Sequence, residues 1–134
     1  MRTQIRIRER FCAGLSLRDP RLTEDMNRRH FGRWMELHGH DFTIEVTVEG
    51  PVDSNTHCIV DYTKLHRLVQ REIIRHVDHH TLNEVDILRD VVPTSENQAR
   101  VYFELLAAAL PRGAHLVSLS VEDADGNAAI VMGE

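Results

Sequence analysis

Apolar and polar residues alternate from the fourth position: Ile5, Ile7, Phe11 and Ala13 share one parity, and Arg6, Arg8, Arg10 and Cys12 the other. This period of two predicts a strand over residues 4–14 with one buried face. Residues 18–37 lose the period and are rich in charge, which predicts a long connection with a short helix near Thr23–His30. Alternation returns in His38, His40, Phe42, Ile44, Val46 and Val48, and Gly50-Pro51 ends this second strand. Leu65, Leu68, Val69, Ile73, Ile74 and Val77 then fall at helical spacing over residues 62–77. A second long helix starts at Pro93-Thr94, where Thr94 is suited to cap it and Glu96 to face its positive first turn; Pro111 to Gly113 stop it. Val117, Leu119 and Val121, a turn at Asp125-Gly126, and Ala129 to Met132 complete a C-terminal hairpin. The order strand, strand, helix, helix, strand, strand predicts an α+β fold with helices on one face of an antiparallel sheet.

Length and composition narrow the function classes. The 134 residues suit a single domain over 1–134, and 42% apolar content is a globular value. A net charge of -5 disfavours nucleic acid, whose phosphates need a clustered basic face. The stripe Arg2, Arg6, Arg8, Arg10 reads as the polar side of a strand. Cys12 and Cys58 make no disulfide framework. Charge begins at Arg2, and no apolar run approaches the ~20 residues of a membrane span, so no membrane partner and a cytoplasmic location are expected.

Three places carry candidate chemistry. His38 and His40, two apart on a strand, project from one face and make half of a zinc site; the alternative is a polar strand end with two incidental histidines. Asp78-His79-His80 offers a carboxylate that can orient an imidazole for proton transfer, or simply histidines at the negative end of a helix. Glu122 can accept two parallel hydrogen bonds from the N–H pair of a pterin or guanine, or be a turn acid beside Asp123 and Asp125.

Together the motifs resemble the 6-pyruvoyl- and 6-carboxy-tetrahydropterin synthase family. The similar stretches are Phe11-Cys12-Ala13-Gly14, His38-Gly39-His40-Asp41-Phe42, Glu45 through Asp53, Val60-Asp61-Tyr62, Asp78 through Asn83, Pro93-Thr94-Ser95-Glu96-Asn97 and Val121-Glu122. They keep the family's order over nearly the whole chain. The resemblance implies the tunnelling fold: a four-stranded antiparallel sheet with two helices on one side. It also implies a homo-oligomer in which three subunits close a twelve-stranded barrel and two barrels stack as a hexamer, with active sites between subunits. The implied substrate is dihydroneopterin triphosphate or a related pterin. By position, His38 and His40 correspond to two zinc ligands, Asp78 and His79 to a proton relay, and Glu122 to the pterin anchor, with Trp34 and Thr94 expected at the substrate.

Two positions depart from the family. Leu15 stands where the third zinc histidine is expected, and Trp34 where the catalytic cysteine is expected. Leucine has no donor atom, and indole N–H is a donor only. The zinc site implied by the resemblance is therefore degenerate. His30, Cys12 and Glu36 are the nearby residues to weigh as replacements, with Glu36 the candidate base; Cys12 is an odd number of residues from Leu15 and so faces the other side of a regular strand. A divergent lyase working through histidine-mediated proton transfer, a non-catalytic pterin- or purine-binding homologue, and a zinc synthase rescued by substitute ligands all remain open at this level.

Overall fold

The computed structural model describes residues 1–134. β1 (Gln4–Leu15) and β2 (His38–Glu49) pair along their whole length, with Phe11 opposite Phe42, Ala13 opposite His40 and Leu15 opposite His38. β3 (His115–Glu122) lies on β2, with Thr43 opposite Glu122, and β4 (Ala128–Met132) closes the antiparallel sheet in the order β1-β2-β3-β4. α1 (Glu24–Phe31) sits in the long β1–β2 connection, started by the Thr23 hydroxyl accepting from the Met26 N–H. Two helical elements cover one face of the sheet: α2 (Tyr62–Val69), and α4 (Ser95–Ala109) after a short α3 (Arg75–Val77).

The period of two becomes burial directly. Ile7, Phe11, Ala13 and Leu15 of β1, and Phe42, Ile44, Val46 and Val48 of β2, are buried beneath the helices. Phe11 and Phe42 stack with centroids 4.9 Å apart, and Tyr102 of α4 meets Phe11 edge-on at 6.2 Å. Side chains of this size each contribute roughly 1.5–3 kcal/mol when fully buried. The Tyr102 hydroxyl donates to Gln98 Oε1, and Gln98 donates in turn to the Pro93 carbonyl, so the polar atoms under α4 are satisfied. Burial pushes the Tyr102 phenol far up, leaving it a neutral donor.

Two expectations need correction. The helix over 62–77 is not uniform: Gln70–Ile74 winds as a π-helix between α2 and α3. β1 also has a polar residue on its core face. Glu9 shares the parity of Ile7 and Phe11 and reaches under α2, 2.8 Å from His66 Nδ1, where it also accepts from Gln70 Nε2. A carboxylate at the sheet's margin finds both donors on one helix face.

The outer edge of β1 is half covered. The segment after α3 folds along it: Asp78 Oδ1 accepts from the Cys12 N–H, the His79 N–H donates to the Cys12 carbonyl, and the Gly14 N–H donates to the His80 carbonyl. Asn83 then both donates to and accepts from the Ser16 backbone. No backbone hydrogen bond crosses the outer edge of the stretch from Gln4 to Arg10. No helix is long and apolar enough to cross a membrane.

Candidate functional site

The end of the sheet that carries Leu15, His38, Glu122 and Ala128 bears two cavities, one on each face. Asp123, the first residue after β3, lines both. Strand parity decides which side chain enters which. Val121 is buried under the helices, so Glu122 turns to the helix-free face, together with Arg10, Cys12, Asp41 and Thr43. These residues and Asp78 line a cavity of about 720 Å³. His38 and His40, of the same parity as Phe42, turn to the helix side, into a second cavity of about 390 Å³.

Asp78 is fixed in the first cavity by its hydrogen bond from the Cys12 N–H at 2.9 Å, and it pairs with His79 Nδ1 at 2.9 Å. The Cys12 N–H and, to a lesser degree, the histidine hold the Asp78 carboxyl below its ordinary range despite some burial. His79 adopts φ 60°, the left-handed region that few non-glycine residues occupy. This conformation is over-determined: the backbone N–H of His79 is tied to the Cys12 carbonyl at 2.6 Å while its ring is tied to Asp78. The imidazole itself is 80% exposed and projects beyond the covered edge of β1 rather than lining the cavity. The Asp41 carboxylate beside Cys12 pushes that thiol up, which keeps it protonated near neutral pH.

In the second cavity the His38 and His40 rings lie 5.2 Å apart, as the strand spacing predicts. Trp34, in a single 3-10 turn (Gly32–Met35), packs against them at 5.3 Å from His38 and 6.5 Å from His40. Leu15 fills the strand position opposite His38 and is buried. His38 Nδ1 is engaged by the Glu36 carbonyl at 2.8 Å. Zinc is the metal that the family resemblance puts here, at a site expected to be degenerate and of doubtful occupancy, and the donor set does not fit it. Two imidazoles face an alkyl chain and an indole, and no group of three or more His, Cys, Asp and Glu side chains is arranged to hold a metal ion. Asp123, which lines this cavity, already accepts from the Asn127 and Asp125 backbone N–H groups.

The remaining expected residues separate. Thr94 caps α4 by accepting from the Asn97 N–H, and it also lines the second cavity. Glu36 lines neither cavity; its side chain is 73% exposed, with Arg28 at 4.0 Å. His30 lies on α1, against Phe31, outside both cavities. Cys12 faces away from Leu15, as parity requires. Sequence reasoning passed over Asp123 as a turn acid and Arg10 as strand decoration. Arg10's parity with Cys12 was the available signal; for Asp123, beyond the regular strand, there was none.

The family model described as 6-pyruvoyl tetrahydropterin synthase matches residues 4–134. The chain belongs to that family. The human 6-pyruvoyl tetrahydrobiopterin synthase is 31% identical over 134 residues, covering 98% of this chain and 92% of the relative. The dihydroneopterin monophosphate aldolase of Pyrococcus furiosus is 36% identical over 88 residues, covering 66% of this chain and 71% of the aldolase. The solved 6-pyruvoyl tetrahydropterin synthase of Caenorhabditis elegans superposes with a TM-score of 0.91 at 26% identity, covering 100% of this chain and 97% of that one. At family level this is a lyase-like fold with a degenerate metal site.

Proposed function

We propose that the chain is a lyase acting on the side chain of a pterin-type substrate, with Glu122 gripping the ring and the Asp78–His79 pair moving protons. The observation that carries this reading is that Asp78 and Glu122 line one cavity. An ionised carboxylate accepts two hydrogen bonds from a flat N–H pair, which fixes the ring in its plane. Asp78 orients the imidazole through Nδ1 and stabilises it when it takes a proton, leaving Nε2 to work on the substrate. Thr94 and Trp34, also expected at the substrate, line the helix-side cavity instead, across the sheet from Glu122 and Asp78. Glu36 is left out of the chemistry because it lies outside both cavities.

His79 projects past the edge of β1, so it is placed to serve a site shared with a second subunit. A single-domain subunit that closes a three-subunit barrel, stacked as a hexamer in the cytoplasm, accords with the open edges of β1 and β4. A second reading, a pterin- or purine-binding homologue without turnover, is favoured by Leu15 and Trp34 standing at the family's metal and base positions.

The test uses the assembled protein with dihydropterin substrates, reading binding by calorimetry and product by chromatography. Glu122→Ala is expected to weaken binding at least about a hundredfold, the loss of a charge-assisted pair. His79→Ala is expected to keep binding and lower kcat by about 10²–10⁴-fold. Unchanged affinity in Glu122→Ala removes the anchor assignment; tight binding with no product from the unaltered protein leaves the binding-only reading.

A further inference from the structure

The arginine stripe of β1 changes its partners at one position. On the helix-free face Arg8 ends on Glu45, its cross-strand neighbour, at 2.8 Å. Arg6 reaches the same carboxylate at 3.4 Å, and Arg2 ends on Glu49 at 2.9 Å. Arg10 breaks the series and forms no such pair with β2. Its cross-strand neighbour is Thr43, and Thr43 in turn stands opposite Glu122 of β3. The row Arg10, Thr43, Glu122 therefore crosses β1, β2 and β3 on one face, and all of its side chains line the cavity of about 720 Å³. Two strand spacings, roughly 10 Å, separate the backbones at its ends. Two long side chains facing each other across that gap can close on a flat bicyclic ring lying over Thr43.

We infer that Arg10 is a specificity-determining residue, donating to the ring carbonyl of the substrate while Glu122 accepts from the adjoining N–H pair. The inference rests on the pterin reading above and names a second group that recognises the ring. The edge of an amino-oxo pterin presents an amino N–H, a ring N–H and then a carbonyl oxygen. A carboxylate satisfies the two donors, and it can only accept. The carbonyl needs a donor, and a guanidinium has donors and no acceptor, as in its pairing with the carbonyl edge of guanine. A ring carrying an amino group in place of that carbonyl turns donor against donor. Leaving such groups unpaired is how a polar site rejects the wrong ligand.

Calorimetric titration of the assembled protein with dihydroneopterin and with its diamino analogue, in which an amino group replaces the ring carbonyl, tests this. The oxo ligand is expected to bind at least about tenfold more tightly to the unaltered protein. Arg10→Ala is expected to weaken the oxo ligand by about tenfold or more and to leave the diamino ligand unchanged or tighter, so that the preference collapses. Arg10→Lys keeps a donor on a flexible stem and is expected to retain part of the preference. Parallel losses for both ligands, a preference that survives Arg10→Ala, or no preference in the unaltered protein overturns the inference and leaves the pterin reading standing. Failure of the unaltered protein to bind either ligand overturns the two together.

Discussion

The two cavities at the end of the sheet share Asp123 but are built for different work. On the helix-free face, charged groups are fixed by backbone geometry: Asp78 by the Cys12 N–H, and Glu122 by its place at the end of β3 opposite Thr43. On the helix face, a pair of imidazoles has been closed in by leucine and tryptophan, so apolar contact stands where a third donor would be. On the reading proposed above, the first side grips and shuttles protons, and the second shapes and excludes.

The largest expected effect comes from converting one side into what it is not. Leu15→His places a third imidazole opposite His38, and zinc affinity is expected to rise at least about a hundredfold over the unaltered chain, measured by metal analysis after dialysis. No gain would mean that Trp34, rather than Leu15, closes the site, and the double change with Trp34→Ala separates the two. Next, Asp78→Ala leaves the Cys12 N–H without its acceptor and is expected to cost about 1–2 kcal/mol in urea denaturation, at the low end for a charged acceptor because the group is partly exposed. Asp78 also gives a pH signature. Its carboxyl is lowered in the folded state, chiefly by the Cys12 N–H, so its contribution is complete above the ordinary aspartate range and is lost as pH falls through the lowered value. Asp78→Asn is expected to flatten the acid limb of the stability curve relative to the unaltered protein. The most local effect is for Trp34→Ala. The residue is 41% exposed, so only part of an aromatic contribution is lost and stability is expected to fall by about 1–2 kcal/mol, while ligand affinity in the helix-side cavity falls.

The sheet was legible because one of its faces is buried. Phe42 through Val48 alternate without ambiguity, Ile5 through Ala13 do so except at Glu9, and the cap at Thr94 lies where local chemistry puts it. The π-helical turn at Gln70–Ile74 was not, since Ile73 and Ile74 satisfy an apolar stripe under either winding. Glu9 was hidden for another reason: its partner His66 is 57 residues away, and only the packing of α2 on β1 brings them together. Within the site, the family motifs placed Glu122, Asp78, His38 and Trp34 near one another but did not divide them between two faces. That division was available in the opposite parity of Val121 and Glu122 and in the shared parity of Phe42 and His40. The exclusion of Glu36 was not, because it depends on how the turn Gly32–Met35 directs the chain into β2.

The hairpin of backbone and side-chain contacts from Asp78 to Asn83 has a geometric consequence for anything that joins the sheet from outside. It blocks β1 from Cys12 onward, so an incoming strand has only the seven positions from Gln4 to Arg10 along which to run. In the oligomer proposed above, a neighbouring strand pairing with this edge could not slide toward the cavity end of the sheet without displacing the segment that carries His79, and that imidazole would act as a doorstop setting the alignment of one subunit against the next.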